Sequence, residues 1–568
     1  MTRCAWLLSL LMVGLLAGCA AQPDLLSVPI TPTPPGLATA QATAAPAGVT
    51  RAVRINAGAF PDNLDPQQLA NENEISHVAL LYEPLVALDA DLKPIPAAAE
   101  SWQVLDDGRT YIFKLRPGLK YSDGQPLTAK DYEYAFKRAA DPLVGGQLQS
   151  DTFDIEGAEA YATADVTTLS PAELTALRDR VGVHARDDTT LEFRLVKPAP
   201  YFPFVVSTPI GYPVREDMVA RGENWHLKAG NQIGNGPFML QELNETAGRA
   251  VFVPNPNWRG PQPMADGIVV HYLTDPNVAL QAYRNGELDI VRLSASQLPA
   301  VHQDAALSKQ VVVTPGACTD GFAFNQTRPP FDRRDVRLAF AKAFDRERYA
   351  QAIAGGLATP SLSWLPKGAP GYDPTIGRAQ LFDPTAARQL LAAAGYPDGQ
   401  GLPEIKLNYP ATPQGKTVAE FIAAQYQQNL GIQLVLEPLD LKQFAALGKD
   451  VTTLPPFVNA AWCGDYPDPH TWFTAAWRST APMAKVSGYK NVALDELMAA
   501  ADTEPDASRR LEMYQHAERM ILDEDVAFLP VTQGETAYLI KPDVVYGRTT
   551  SHDKLFPGWF EPWQLGRR

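Results

Sequence analysis

Apolar and polar positions repeat with two different periods along this chain. Tyr111, Phe113 and Leu115 recur every second residue, the period of a half-buried strand. Asp123-Gly124 marks a turn, and Thr128 with Asp131 three residues on is a capping pair that predicts a helix over Tyr132–Ala140. Asp383-Pro384 opens a further helix that stops at Gly395, with Leu390 and Leu391 toward a core. Lys416–Asn429 reads as another helix, after which Gly431 releases the chain into a strand at Ile432–Leu436. Leu511, Tyr514, Ala517 and Ile521 fall at helical spacing and predict a helix over Arg509–Asp525. Strands and helices alternate with no visible repeat, so the expected class is α/β or mixed.

The first residues follow another pattern. Ala5–Leu15 is apolar but too short for a helix to cross a hydrocarbon layer of about 30 Å, so it reads as a removable signal over residues 1–18. It ends in Leu16-Ala17-Gly18-Cys19, the layout of a bacterial lipoprotein signal in which the Cys19 thiol carries the lipid. An ordinary secretory signal with a chance cysteine is the alternative. Residues 19–50 are rich in Pro, Ala and Thr and nearly uncharged, which predicts an extended tether. The expected location is extracytoplasmic, lipid-anchored at a membrane surface.

Composition narrows the rest. About 520 residues follow the tether, enough for two or more packed lobes. Hydrophobic residues make up 45% and charged ones 20%, as in soluble globular proteins. A formal net charge of −15 argues against nucleic acid or anionic lipid as the main partner. Of the four cysteines, Cys4 leaves with the signal and Cys19 is lipidated, so the mature chain keeps Cys318 and Cys463. An isolated pair in an oxidising compartment suggests one disulfide, against two unrelated buried thiols.

The common catalytic and metal-binding signatures are missing. No two of the eight histidines have the spacing of a helical metal site, and His516 reads as a surface helix residue. Neither a Gly-x-Ser-x-Gly elbow, nor a phosphate loop, nor a dinucleotide fingerprint occurs. A glycosidase-style carboxylate pair stays open among the many acids. Trp462-Cys463-Gly464-Asp465-Tyr466-Pro467-Asp468-Pro469 stands apart, with two aromatics and two carboxylates around a cysteine. A carboxylate among aromatic walls receives an ammonium group well. The structural alternative is that Asp465 caps a helix beginning near Pro469.

From about Arg51 to Trp563 the chain resembles the extracytoplasmic solute-binding proteins of peptide ABC importers, the oligopeptide- and dipeptide-binding family. The markers stand in the family's order: Leu64-Asp65-Pro66, Leu81-Tyr82-Glu83-Pro84-Leu85-Val86, Ala99-Glu100-Ser101-Trp102, and Tyr121-Ser122-Asp123-Gly124-Gln125-Pro126-Leu127-Thr128-Ala129. Gly234-Asn235-Gly236-Pro237-Phe238, Asn255-Pro256-Asn257-Trp258, Gly286-Glu287-Leu288-Asp289-Ile290, Ala394-Gly395-Tyr396-Pro397 and Leu529-Pro530-Val531 follow. Each is weak alone; the ordered set is specific.

The resemblance implies an α/β, two-lobed periplasmic-binding-protein-like clamp with an inserted satellite subdomain. Lobe I would take residues 51–83, 211–317 and 531–568, the satellite 84–210, and lobe II 318–530. It implies a Cys318–Cys463 disulfide and an Asp465 that binds a peptide's α-ammonium, with Trp462 and Tyr466 as walls. The segment Ala70 to Glu72 would pair with the peptide backbone, as an added strand does. Departures bear on the other end of the ligand: Asn459 replaces an arginine, a histidine is replaced around Gly415, and Leu441 stands where an aromatic is frequent. Arg292 is a candidate carboxylate partner, against a plain surface arginine.

The resulting expectation is a monomeric receptor that binds peptides and delivers them to ABC permease subunits, with no cofactor, metal or catalytic residue. A non-peptide solute such as an oligosaccharide, stacked on Trp462, Trp472 or Trp477, is the rival ligand. A surface hydrolase is the rival class.

Overall fold

Two long strands, Val311–Phe324 and Phe528–Ile540, run antiparallel through the middle of an 11-stranded sheet. The computed structural model describes residues 51–69, 71–447, 454–550 and 561–568. The expected signal, Cys19 and the tether lie outside these residues, as does Ala70.

The long pair is really two ladders in series. Val311–Pro315 pairs with Glu535–Leu539, the register then shifts, and Thr319–Ala323 pairs with Phe528–Gln533. The shift falls at Gly316, where a Cβ would lie 2.6 Å from the Gly534 carbonyl oxygen, so the close approach needs a glycine. On the first side the sheet continues through Ile290–Leu293, Val53–Asn56, Ile268–His271, Arg249–Pro254 and Phe238–Asn244. On the second it continues through Phe457–Cys463, Lys406–Pro410 and Val435–Leu439. Parallel neighbours on each side require crossovers. Helix Pro276–Arg284 supplies one and helix Pro413–Leu430 another.

Alternation along the second-side strands assigns their two faces. Phe322, Phe324 and Phe457 enter one apolar cluster with Phe340 and Tyr426. Ala323 and Val458 enter another with Trp364, Trp472 and Trp477. The first side has its own core around Val53, Ile55, Phe252 and Ile268. A separate four-stranded antiparallel sheet, Ala99–Leu105, Thr110–Leu115, Thr190–Arg194 and Val183–Asp187, packs on helix Ala129–Ala139. Its core draws on residues from Leu85 to Ile210, and the ring of Tyr466 joins it.

Several elements form where the sequence predicts them. Thr128 and Asp131 make a capping box at Ala129–Ala139, and Asp383 accepts from the Ala386 amide at the start of Pro384–Ala393. Leu391 is buried while Leu390 is half-buried. The strand expected at Ile432–Leu436 forms instead at Val435–Leu439: Ile432 and Leu434 are buried against the preceding helix before ladder pairing begins. The last predicted helix runs Ala507–Arg519 and widens into a π-turn at Met520–Glu524. His516 lies exposed on it.

Candidate ligand-binding site

Strand Phe457–Cys463 lies antiparallel to Val311–Phe324, with Cys318 directly opposite Cys463. A disulfide joins the two, their Cα atoms 4.1 Å apart. By the two-residue period, Cys318 and Asp320 share a face with Asn459, Ala461 and Cys463. Asn459, Ala461 and Cys463 are exposed, whereas Trp462 on the opposite face is half-buried and donates Nε1–H to the Thr471 carbonyl at 2.9 Å.

Asp465 follows two residues after the disulfide and is exposed. The Thr471 hydroxyl bridges it, donating to Oδ2 and accepting from the Asp465 amide, both at 3.3 Å. Asp465 does not cap the following helix. That role belongs to Asp468, which accepts from the His470 amide at 2.9 Å at the start of Pro469–Trp477. Asp468 also holds Arg510 through two bonds.

Behind Asp465 lies a seam between this segment and residues 151–201. Tyr466 is buried, and its hydroxyl meets His470 Nδ1 at 2.7 Å. The His470 ring stacks on Tyr201 at 3.7 Å between centroids, and the Tyr201 hydroxyl donates to Asp154 at 2.5 Å. Lys197 reaches Asp502 at 3.0 Å, where Thr474 and Tyr514 also donate. Burial works against the Asp502 charge, yet His470, Lys197 and these hydroxyls hold its carboxyl below the usual range. Asp151 presents a buried Oδ2 that has no hydrogen-bond partner among the described residues. Burial, then the nearby charges of Asp465 and Asp154, push its carboxyl well above the usual range. Asp465 therefore stands at the exposed end of an acid-rich seam, an environment that favours a cation.

The other expected residues lie on the first side of the sheet. Glu72 is on the first turn of helix Glu72–Leu81 and Arg292 on strand Ile290–Leu293; both are exposed and their charged groups stand 3.8 Å apart. The Arg292 side chain also lies 3.5 Å from the Thr536 hydroxyl. Trp472 and Trp477 are buried at 1% and 0% exposure, edge-on to Trp364, so neither offers a face for stacking a sugar. Sequence reasoning missed Asp151, Lys197, Tyr201 and His470. No local period marks residues brought together from such distant stretches.

A family model described as bacterial extracellular solute-binding proteins, family 5, matches residues 93–483. The chain belongs to this family. It is 30% identical over 522 residues to the periplasmic oligopeptide-binding protein OppA of Escherichia coli, covering 90% of this chain and 92% of the relative. It is also 30% identical over 506 residues to the probable deoxycholate-binding periplasmic protein YgiS of Escherichia coli, covering 86% and 89%. Among solved structures, the unliganded open form of the murein tripeptide-binding protein MppA matches with a TM-score of 0.77 at 26% identity, covering 92% of this chain and 99% of that one. The solute-binding family is one of binding proteins, and the fold is its two-lobed α/β clamp.

Proposed function

We propose that this chain is an extracytoplasmic receptor that grips the α-ammonium end of an extended peptide at Asp465 and delivers the peptide to an ABC import permease. Lobe I comprises residues 51–83, 211–317 and 531–568, the satellite 84–210, and lobe II 318–530. The register shift at Gly316 is the hinge, where the two central strands pass from one lobe to the other. A ligand touching both lobes shifts the population toward the closed state. Glu72 and Arg292 supply polar contacts from lobe I, and backbone pairing beside Ala70 holds the peptide without reading its sequence. The mature chain is anchored through lipid on Cys19, acts as a monomer and performs no covalent chemistry.

The observation that carries this reading is the exposed Asp465 beside the disulfide, at the edge of a seam whose acids include the buried Asp151. Asp465→Asn should weaken peptide binding by more than about 1.5 kcal/mol, the range of a charge-assisted hydrogen bond. Titration calorimetry that finds unchanged affinity removes Asp465 from the site.

A second reading keeps the clamp and changes the guest. The name of the relative YgiS favours an amphipathic sterol-like guest, whose rings the apolar walls of a cavity of about 440 Å³ would take while its carboxylate stays outside. Native mass spectrometry of protein purified without refolding separates the two: a co-purified peptide supports the first, a co-purified steroid the second.

A further inference from the structure

The same sheet face that carries the disulfide leads into that cavity of about 440 Å³, within the roughly 300–1,000 Å³ span of ligand pockets. Phe322, Leu407, Val418 and Ile422 give it apolar walls, and helix Pro413–Leu430 closes one side. Asn459 and Gly415 also line it. Among the described residues lining it there is no Lys, Arg or His, and Asp320 alone carries a formal charge.

Asp320 lies opposite Ala461 on one side and Thr532 on the other. It is half-buried, and no hydrogen bond or ion pair to its carboxylate occurs among the described residues. Burial raises its carboxyl above the usual range, and its charge in turn adds to the burial that lifts the Tyr349 hydroxyl to about 12. A partly desolvated carboxylate without a counter-ion costs free energy that an incoming cation recovers. The apolar walls suit the alkyl stem of such a side chain, which buries its methylenes and extends its charge to a polar end.

Position along the ligand follows from the strand. Ala461, the cross-strand partner of Asp320, precedes Asp465 by four residues, a span of at most about 13 Å at strand rise. An extended peptide covers that span in at most about four residues. We propose that this cavity is a side-chain pocket that takes a lysine or arginine from one of the second to fifth residues of the ligand, with its cationic end on the Asp320 carboxylate. A carboxylate is rejected there, because the cavity offers it one like charge and no basic partner. The inference rests on the peptide reading above and adds a specificity to it.

Pentaalanine and variants with lysine, norleucine or glutamate at each of positions 2 to 5 test this by calorimetry. Norleucine keeps the alkyl stem without the charge. The expected result is one position at which lysine binds at least tenfold tighter than norleucine, with glutamate weaker than both. In Asp320→Asn, checked for native folding by its circular dichroism melt, the lysine advantage at that position disappears. The wild-type comparison stands without the variant: no lysine preference at any position overturns the pocket while peptide binding survives. A preference that persists in Asp320→Asn also overturns it, assigning the effect to the chain's overall negative charge. If no pentapeptide binds the wild type, the peptide reading fails and the pocket falls with it.

Discussion

Asp468 and Arg510 meet in a two-pronged ion pair, 2.7 and 2.5 Å between nitrogen and oxygen, with both side chains buried. The pair fixes the start of helix Pro469–Trp477 and so the turn from which Asp465 projects. The Arg510 guanidinium also lies over the rings of Tyr201 and Tyr514, at 5.6 and 5.1 Å from their centroids, which ties the same turn to the core of the four-stranded sheet, where Tyr201 sits.

Removing one partner leaves a buried charge unpaired, a loss of about 3–5 kcal/mol. Arg510→Met should therefore lower stability by that amount in chemical denaturation. Adding Asp468→Asn, which keeps a capping side chain without its charge, should recover at least half of the loss. A single variant as stable as wild type contradicts this account of the turn.

The register shift in the central strands yields a sharper contrast. A methyl group on Gly316 meets a backbone oxygen at 2.6 Å, whereas nothing lies within 4 Å of one on Gly534. Gly316→Ala should cost roughly 1–3 kcal/mol through forced backbone movement. Gly534→Ala should stay within about 0.5 kcal/mol of wild type. Thermal midpoints of the two variants decide the matter, and equal midpoints refute it.

Local signals carried much of the secondary structure. The Thr128–Asp131 and Asp383-Pro384 caps are short-range devices, and each forms where its residues predict. The strand after Gly431 begins late because Ile432 and Leu434 owe their burial to helix packing, which resembles a strand pattern when read along the chain. In the site, the aromatic and acidic residues around Cys463 were legible as a cluster, but their directions were not. Trp462 and Tyr466 alternate across an extended stretch and then a turn, so one packs beside Trp472 and the other in the core of the four-stranded sheet. Asp151 and Lys197 were invisible as site neighbours, since about 300 residues separate them from Asp465 and Asp502 and only tertiary packing joins them.

Acidity offers an independent check on the core around Trp364. The Glu518 carboxyl is fully buried; one oxygen accepts from the Ser363 hydroxyl and the Trp364 and Leu365 amides, and the other has no partner among the described residues. Burial raises its pKa from 4.5 to about 7. The native state thus keeps a proton that the unfolded chain has released. The associated stability is fully present below pH 4.5 and is lost as pH rises through 7. Glu518→Gln should remove that dependence and leave the protein more stable than wild type at pH 8 by up to about 3 kcal/mol. Melting curves at pH 5 and pH 8 that run parallel for both proteins contradict it.

The grip of Asp465 on a positively charged terminus is tested most directly by blocking that terminus. Calorimetry with a peptide that binds the wild type, compared with its N-acetylated form, should show at least a tenfold loss on acetylation. In Asp465→Asn the two forms should bind alike. Equal affinity of the free and acetylated peptides for the wild-type protein would contradict the account.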